Sequence, residues 1–187
     1  MALGRELDEI PGARETVFRG AVIDVEHMTV TLPNGREALR EIVRHKGAAA
    51  VVPVDAQGVV TLVRQYRAPI ARETLEIPAG KLDSPDEPPI ECARRELREE
   101  TGLCAGRMTP MLGLITTPGF CDERIWMYLA TDLTQHAACP DADEFLNVVR
   151  MPLAEAVRRV LAGELCDGKT ALGLLMARAL LERDSDA

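Results

Sequence analysis

Glu96, Glu99 and Glu100 fall within five residues of one another in "GKLDSPDEPPIECARRELREETGL", residues 80–103. On a helix these i, i+3 and i+4 positions share one face, where like charges repel by roughly a few tenths of a kcal/mol per pair. The acids also crowd the end of the segment, where the helix dipole disfavours negative charge. A solvated amphipathic face is one account of the cluster. A bound divalent cation is another, and it removes the repulsion. Hard carboxylate oxygens gathered without His or Cys suit Mg²⁺ or Mn²⁺ rather than zinc. Arg95 lies four residues from both Glu91 and Glu99, so it is placed to hold a carboxylate without neutralising the whole patch.

The elements around the cluster must position it. The pattern predicts a helix over 87–101, led in by Pro88 and Pro89 and closed by Gly102 as a C-cap. Ile90, Ala93, Leu97 and Thr101 form the stripe that packs on a sheet. Upstream, "TLEIPAG" reads as a short strand ending in a Pro-Ala-Gly turn, which brings backbone carbonyls towards the acids. "GAAAVVPVDAQGVVTLVRQYR" gives strands over 48–54 and 58–66, and residues 15–66 as a whole read as strands, with a hairpin at Asn34-Gly35. Further strands are expected at about 107–115, 125–131 and 145–151, and two helices finish the chain. This mixture predicts an α+β fold, an α/β/α sandwich with a mixed sheet preceded by antiparallel strands.

The 187 residues suffice for one sizeable core, and 47% hydrophobic with 28% charged residues is ordinary for a soluble globular protein. A net charge of −8 argues against nucleic acid as a partner, though a divalent cation lets an acidic protein bind phosphates. No apolar run approaches a membrane span, and "MALGRELDEIPG" is too charged for a secretory signal, so a cytoplasmic protein with no membrane partner is expected. Five scattered cysteines (Cys92, Cys104, Cys121, Cys139, Cys166) fit neither a disulfide framework nor a zinc cluster. His27, His45 and His136 lack ligand spacing. Ser84 and Ser185, the only serines, sit in no nucleophile motif, and no phosphate-binding glycine loop occurs. Gly168-Lys169-Thr170 reads as a helix start.

The acidic stretch resembles the Nudix box. Arg95, Glu96, Leu97, Arg98, Glu99, Glu100, Thr101, Gly102 and Leu103 match its second half without exception, and Glu87 sits at the required distance before Arg95. Gly80 precedes Glu87 by six intervening residues where the pattern has five, which reads as a slightly longer loop. "VRQYRAPIARETLEIPAGKLD", "TTPGFCDERIWMYLA" and "GELCDGKTALGLL" are similar to the ADP-ribose pyrophosphatases and their GDP-mannose-hydrolysing relatives, over about residues 40–182. The resemblance implies a Nudix fold over 46–187, with 1–45 forming N-terminal strands that act as a dimerisation arm in a homodimer. It implies a Mg²⁺-dependent enzyme, Mn²⁺ substituting, that hydrolyses a small molecule linked to a nucleoside diphosphate. For ADP-ribose the products are AMP and ribose 5-phosphate. GDP-mannose hydrolysis is the alternative, and a non-catalytic sensor of ADP-ribose or NAD metabolites is disfavoured by the intact glutamates.

Carried over position by position, the resemblance makes Glu96 and Glu100 the main metal ligands, with Glu99 alongside and the carbonyl of Ala79 completing the site. Arg67, Arg40 and Glu76 match places that contact substrate; arginine forks suit phosphates and stack on bases. The general base of the subgroup comes from an acidic Glu-x-Glu loop, and the matching stretch is "PDADEFLNV". Aligning its apolar end puts Glu144 on the second glutamate, a metal-linked position, and Ala142 on the first. Alanine accepts no proton, so the base is Asp141 or Asp143 after a loop shift, Glu144 itself, or Glu99. Glu144 is favoured for its reach and for the apolar anchors Phe145 and Leu146 beside it.

Overall fold

The computed structural model describes residues 5–84, 86–136 and 145–185. The chain forms two compact units, Met1–Lys46 with Ile115–Arg124, and Gly47–Leu114 with Ile125–Ala187. In the first, β1 (Ile10–Arg19), β2 (Ile23–Thr31) and β3 (Glu37–His45) make an antiparallel meander. The Asn34-Gly35 hairpin joins β2 to β3. Gly35 has φ 81°, and Asn34 Oδ1 accepts the Arg36 N–H at 3.1 Å, the local bonding that lets Asn-Gly reverse a chain. All ten residues of β1 are exposed. Residues 116–123 return to β3, where Asp122 accepts from Arg44 Nη1 at 3.0 Å and from the His45 backbone N–H at 2.9 Å.

The second unit holds β4 (Ala48–Pro53), β5 (Val59–Arg67), β6 (Arg72–Glu76), β7 (Ala79–Lys81) and α1 (Pro89–Thr101). β8 (Leu103–Ile115), β9 (Arg124–Gln135), β10 (Leu146–Pro152), α2 (Leu153–Leu161) and α3 (Gly168–Ser185) follow. One sheet has the order β7-β4-β9-β8 and is mixed, β4 running parallel to β9 and antiparallel to β7. The other has the order β10-β5-β6 and is antiparallel.

β4 shows why the unit is layered. All six of its residues are buried, and alternate side chains enter different cores, as a period of two requires. Ala48, Ala50 and Val52 pack with Met127, Leu62, Ala156 and Leu174, on the side of α2 and α3. Ala49 and Val51 pack with Tyr128, Cys92, Ala93 and Leu97, on the side of α1. A helix therefore covers each face, the α/β/α arrangement expected from the sequence.

Two details differ from the sequence reading. Ala79 and Gly80 lie in strand β7, not in a turn: Ala50 pairs with Ala79 and Ala49 with Gly80, so an available edge of β4 overrides the turn propensity of Pro-Ala-Gly. β8 and β9 are also longer than expected, because β8 starts directly after the Gly102 cap and stays paired with β9.

Candidate active site

Helix α1 starts at Pro89, behind Pro88, and stops at Gly102, whose φ of 72° lets its N–H donate to the Arg98 carbonyl at 2.8 Å. Its stripe of Ala93, Leu97 and Thr101 is buried, with Cys92 beside it. Burial pushes the Cys92 thiol up to about 12, so it stays protonated and inert at neutral pH. Two of the three clustered acids are buried as well: Glu96 is 7% exposed and Glu100 only 2%. Buried carboxylates are costly unless partnered. Glu100 Oε2 accepts the Ala79 N–H at 3.2 Å, across to β7. Glu96 Oε1 accepts from Arg95 Nη1 at 2.7 Å.

Arg95 is the hub of the patch. Nη1 also reaches Glu99 at 3.1 Å, Nε reaches Glu87 at 3.2 Å and Asp83 at 3.4 Å, and Nη2 donates to the Lys81 carbonyl at 3.1 Å. Burial pulls its pKa down, but the Glu87 hydrogen bond and the Glu96 charge outweigh that and raise it. Glu91 is left to Arg94, at 3.9 Å. Glu87 also accepts the Asp83 N–H at 2.7 Å and so ties the loop before the helix.

Gly80 explains itself here. A Cβ built on it would lie 1.9 Å from Glu96 Oε1 and 2.4 Å from Oε2. Its φ is not positive, so glycine is needed for space and not for backbone freedom. The Glu96 carboxylate thus sits in a notch of β7.

On the neighbouring sheet Arg67 and Glu76 come together. Glu76 is 2% exposed. Arg67 forks onto it through Nε at 2.8 Å and Nη2 at 2.7 Å, Thr74 Oγ1 donates at 2.5 Å, and Lys169 Nζ closes on Oε2. Burial pushes this carboxyl up, but the Arg67 hydrogen bonds and the Lys169 charge outweigh burial and hold it at about 2. Arg67 Nη1 makes no hydrogen bond among the described residues, although the guanidinium also feels the charges of Asp167 and Glu100, and its side chain is 41% exposed. A cleft of about 430 Å³ opens beside this cluster. Its walls carry Arg64, Arg72 and Arg159 together with Glu73, Glu164 and Asp167, three groups of each sign.

The structure therefore brings Ala79, Glu96 and Glu100 together, with Glu99 joined through Arg95, and separately joins Arg67 to Glu76. Arg40 belongs to the first unit, where Glu9 holds its guanidinium. Glu144 and Asp143, with the rest of the acidic loop at 141–144, lie outside the described residues. Among the described residues no three His, Cys, Asp or Glu side chains are already arranged as a metal cage. The donor set still fits a hard cation: it is all carboxylate and backbone oxygen, and the Gly80 notch admits a carboxylate where any Cβ would fill the space. From sequence Lys169 and Thr170 belong only to a helix start, and Asp167 has no role there. The signal available was Asp167 three residues before Thr170, a capping pattern.

The NUDIX domain family model matches residues 43–169. The chain belongs to the Nudix hydrolase family. An ADP-ribose pyrophosphatase of Bacillus subtilis (strain 168) is 41% identical over 172 residues, covering 91% of this chain and 92% of that protein. A methanol dehydrogenase activator of Bacillus methanolicus is 37% identical over 174 residues, covering 92% and 94%. A crystal structure of an ADP compounds hydrolase superposes with a TM-score of 0.82 at 26% identity, covering 96% of this chain and 97% of that one. This Nudix protein is accordingly an enzyme, a diphosphohydrolase, and Nudix hydrolases generally use a divalent metal. No helix among its described residues is long and apolar enough to cross a membrane.

Proposed function

We propose that this Nudix hydrolase cleaves the diphosphate linkage of ADP-ribose to give AMP and ribose 5-phosphate, with Mg²⁺ as cofactor and Mn²⁺ as substitute. The observation that carries the reading is the pair of buried carboxylates, Glu96 and Glu100, anchored at a glycine notch beside Ala79. Glu96, Glu99, Glu100, the Ala79 carbonyl and Glu144 would hold the cation. When bound, it neutralises diphosphate charge and acidifies a water. Arg95 keeps Glu96 and Glu99 turned to a common side. Arg67, braced by Glu76, offers its remaining guanidinium nitrogen to a phosphate oxygen, and a braced fork loses little freedom on binding. Arg40 and Glu76 complete the substrate-side set, Arg40 being contributed to the site of a partner copy. Glu144 takes the proton from the attacking water, with Asp143 or Glu99 as the substitute base.

The working form in this proposal is a cytoplasmic homodimer. β1 is exposed along its length and carries Ile10, Val17 and Phe18 at a sheet edge, a surface that a second copy would cover. Substrate choice is tested by incubating the purified chain with Mg²⁺ and ADP-ribose, GDP-mannose or other nucleotide sugars, and separating the products by anion exchange. The expected result is AMP from ADP-ribose, with kcat/KM at least about tenfold above GDP-mannose, the discrimination one lost polar contact supplies. Faster GDP-mannose cleavage would reassign the substrate. Tight ADP-ribose binding without turnover would make the chain a sensor.

A further inference from the structure

Strand β6 ends at Glu76 and β7 begins at Ala79, so only Ile77 and Pro78 carry the chain from one sheet of the second unit to the other. Buried backbone polar groups in such a link need partners. The Pro78 carbonyl accepts the Val51 N–H at 2.9 Å, and the Ala79 N–H goes to Glu100. The Ile77 N–H goes to a side chain 93 residues away, Thr170 Oγ1, at 2.9 Å. Thr170 is fully buried, and its hydroxyl donates in turn to Asp167 Oδ2 at 2.5 Å. One residue earlier, Lys169 joins Glu76 to the same Asp167 oxygen, at 3.0 Å from the latter.

Capping alone does not account for this. Asp167 satisfies the first turn of α3 by accepting the Thr170 N–H at 3.0 Å, and a cap needs nothing further. The hydroxyl and the ammonium, besides bonding Asp167, reach beyond the helix to residues 77 and 76 respectively. Gly173, one turn on, lets α3 approach closely: a Cβ there would lie 3.2 Å from Ile77 Cδ1 and 2.9 Å from Val52 Cγ2.

We infer that Lys169 and Thr170 are positioning residues for the metal-binding edge. They fix Glu76 and Ile77, and thereby set where Ala79 and Gly80 stand against Glu100 and Glu96. The inference rests on the functional reading above, and its test separates the two. Mn²⁺ affinity, from the free-ion electron paramagnetic resonance signal, is measured for Thr170→Val, Thr170→Ser, Lys169→Met and Lys169→Arg, beside melting temperature and ADP-ribose kinetics. Thr170→Val and Lys169→Met each weaken Mn²⁺ binding and lower kcat by about tenfold, the worth of one buried hydrogen bond, with KM within about twofold for Thr170→Val, which leaves the Arg67–Glu76 pair its Lys169 contact. Thr170→Ser and Lys169→Arg stay within about threefold of the parent chain, because hydroxyl and charge persist. If Thr170→Val does not fold, the 12%-exposed Lys169 pair decides. Variants that melt earlier yet keep parental Mn²⁺ affinity and kcat overturn the proposal, as does a parent chain that binds no Mn²⁺. A parent chain that binds Mn²⁺ but leaves ADP-ribose intact sinks the substrate reading alone, and the Mn²⁺ affinities then judge the inference.

Discussion

Gly80→Ala puts one methyl group where the Glu96 carboxylate now lies. The added carbon would stand 1.9 Å from Oε1 and 2.1 Å from Cδ, well inside ordinary van der Waals contact at roughly 3.5 Å. Glu96 must therefore move its head group by more than about 1 Å. The atoms that yield belong to the end of a flexible side chain, and φ at Gly80 is compatible with alanine, so the stability cost is the modest one of overpacking, about 1–3 kcal/mol. Activity responds differently. A misplacement of about 1 Å at a reacting centre costs about 10²-fold in rate. The move also breaks the 2.7 Å bond to Arg95, which aligns Glu99 as well. Steady-state turnover of ADP-ribose with Mg²⁺, beside a thermal melt, should show kcat down by about two orders of magnitude in a protein that still folds. Gly119→Ala, with nothing within 4 Å of its Cβ, is the control and should match the parent. A Gly80→Ala enzyme within about threefold of parental kcat would refute both the notch and the role assigned to Glu96.

Glu100→Gln keeps shape and removes charge, and should lower turnover by about 10²–10³-fold with little change in melting temperature, while exposed Glu91→Gln changes neither. Glu76 is held at about 2 in the folded chain against 4.5 ordinarily, so its stabilisation is complete above pH 4.5 and lost as pH falls towards 2. Urea unfolding across that window should lose about 3 kcal/mol on this account, a loss missing in Glu76→Gln. Light scattering at micromolar concentration should give a dimer, and a fully active monomer would remove the role given to β1 and Arg40. Among Asp141→Asn, Asp143→Asn and Glu144→Gln, the last should abolish the acidic limb of the pH–rate profile; a dead Asp143→Asn beside an unaffected Glu144→Gln would move the base.

What was legible in the sequence was what local chemistry encodes. Pro88, Pro89 and Gly102 bound α1, and its buried stripe and acidic face followed from spacing alone. Asn34-Gly35 marked the β2–β3 hairpin for the same reason. The site's supports were not legible, because they are pairings across the sheets. Nothing near Gly80 announces that Glu96, sixteen residues on, needs its space. Glu76 meets Lys169, and Ile77 meets Thr170, each over 93 residues of chain. Local propensity even misled at residues 78–80, where the Ala-Gly of a turn-like Pro-Ala-Gly is drawn into a strand by the edge of β4.

The two buried acids of α1 answer to different anchors, and that division sets the precision of the site. Glu96 is held from within the helix by Arg95, which also gathers Glu87, Glu99 and Asp83 within 3.4 Å. One guanidinium faces four carboxylates, so the patch folds with a counter-ion already in place. A planar fork serves several acids at once in a way that a lysine ammonium does not. Glu100 is held from outside the helix by the Ala79 N–H. The spacing between the two carboxylates therefore depends also on how α1 packs, with Ala93 and Leu97 against Ala49 and Val51 of β4 and the Cys92 thiol on the Gly80 and Lys81 carbonyls of β7. Small shifts of β7 should reach both acids together: Glu96 through the Gly80 notch, Glu100 through the neighbouring amide. The catalytic edge is thus only as rigid as the two-residue link that delivers it.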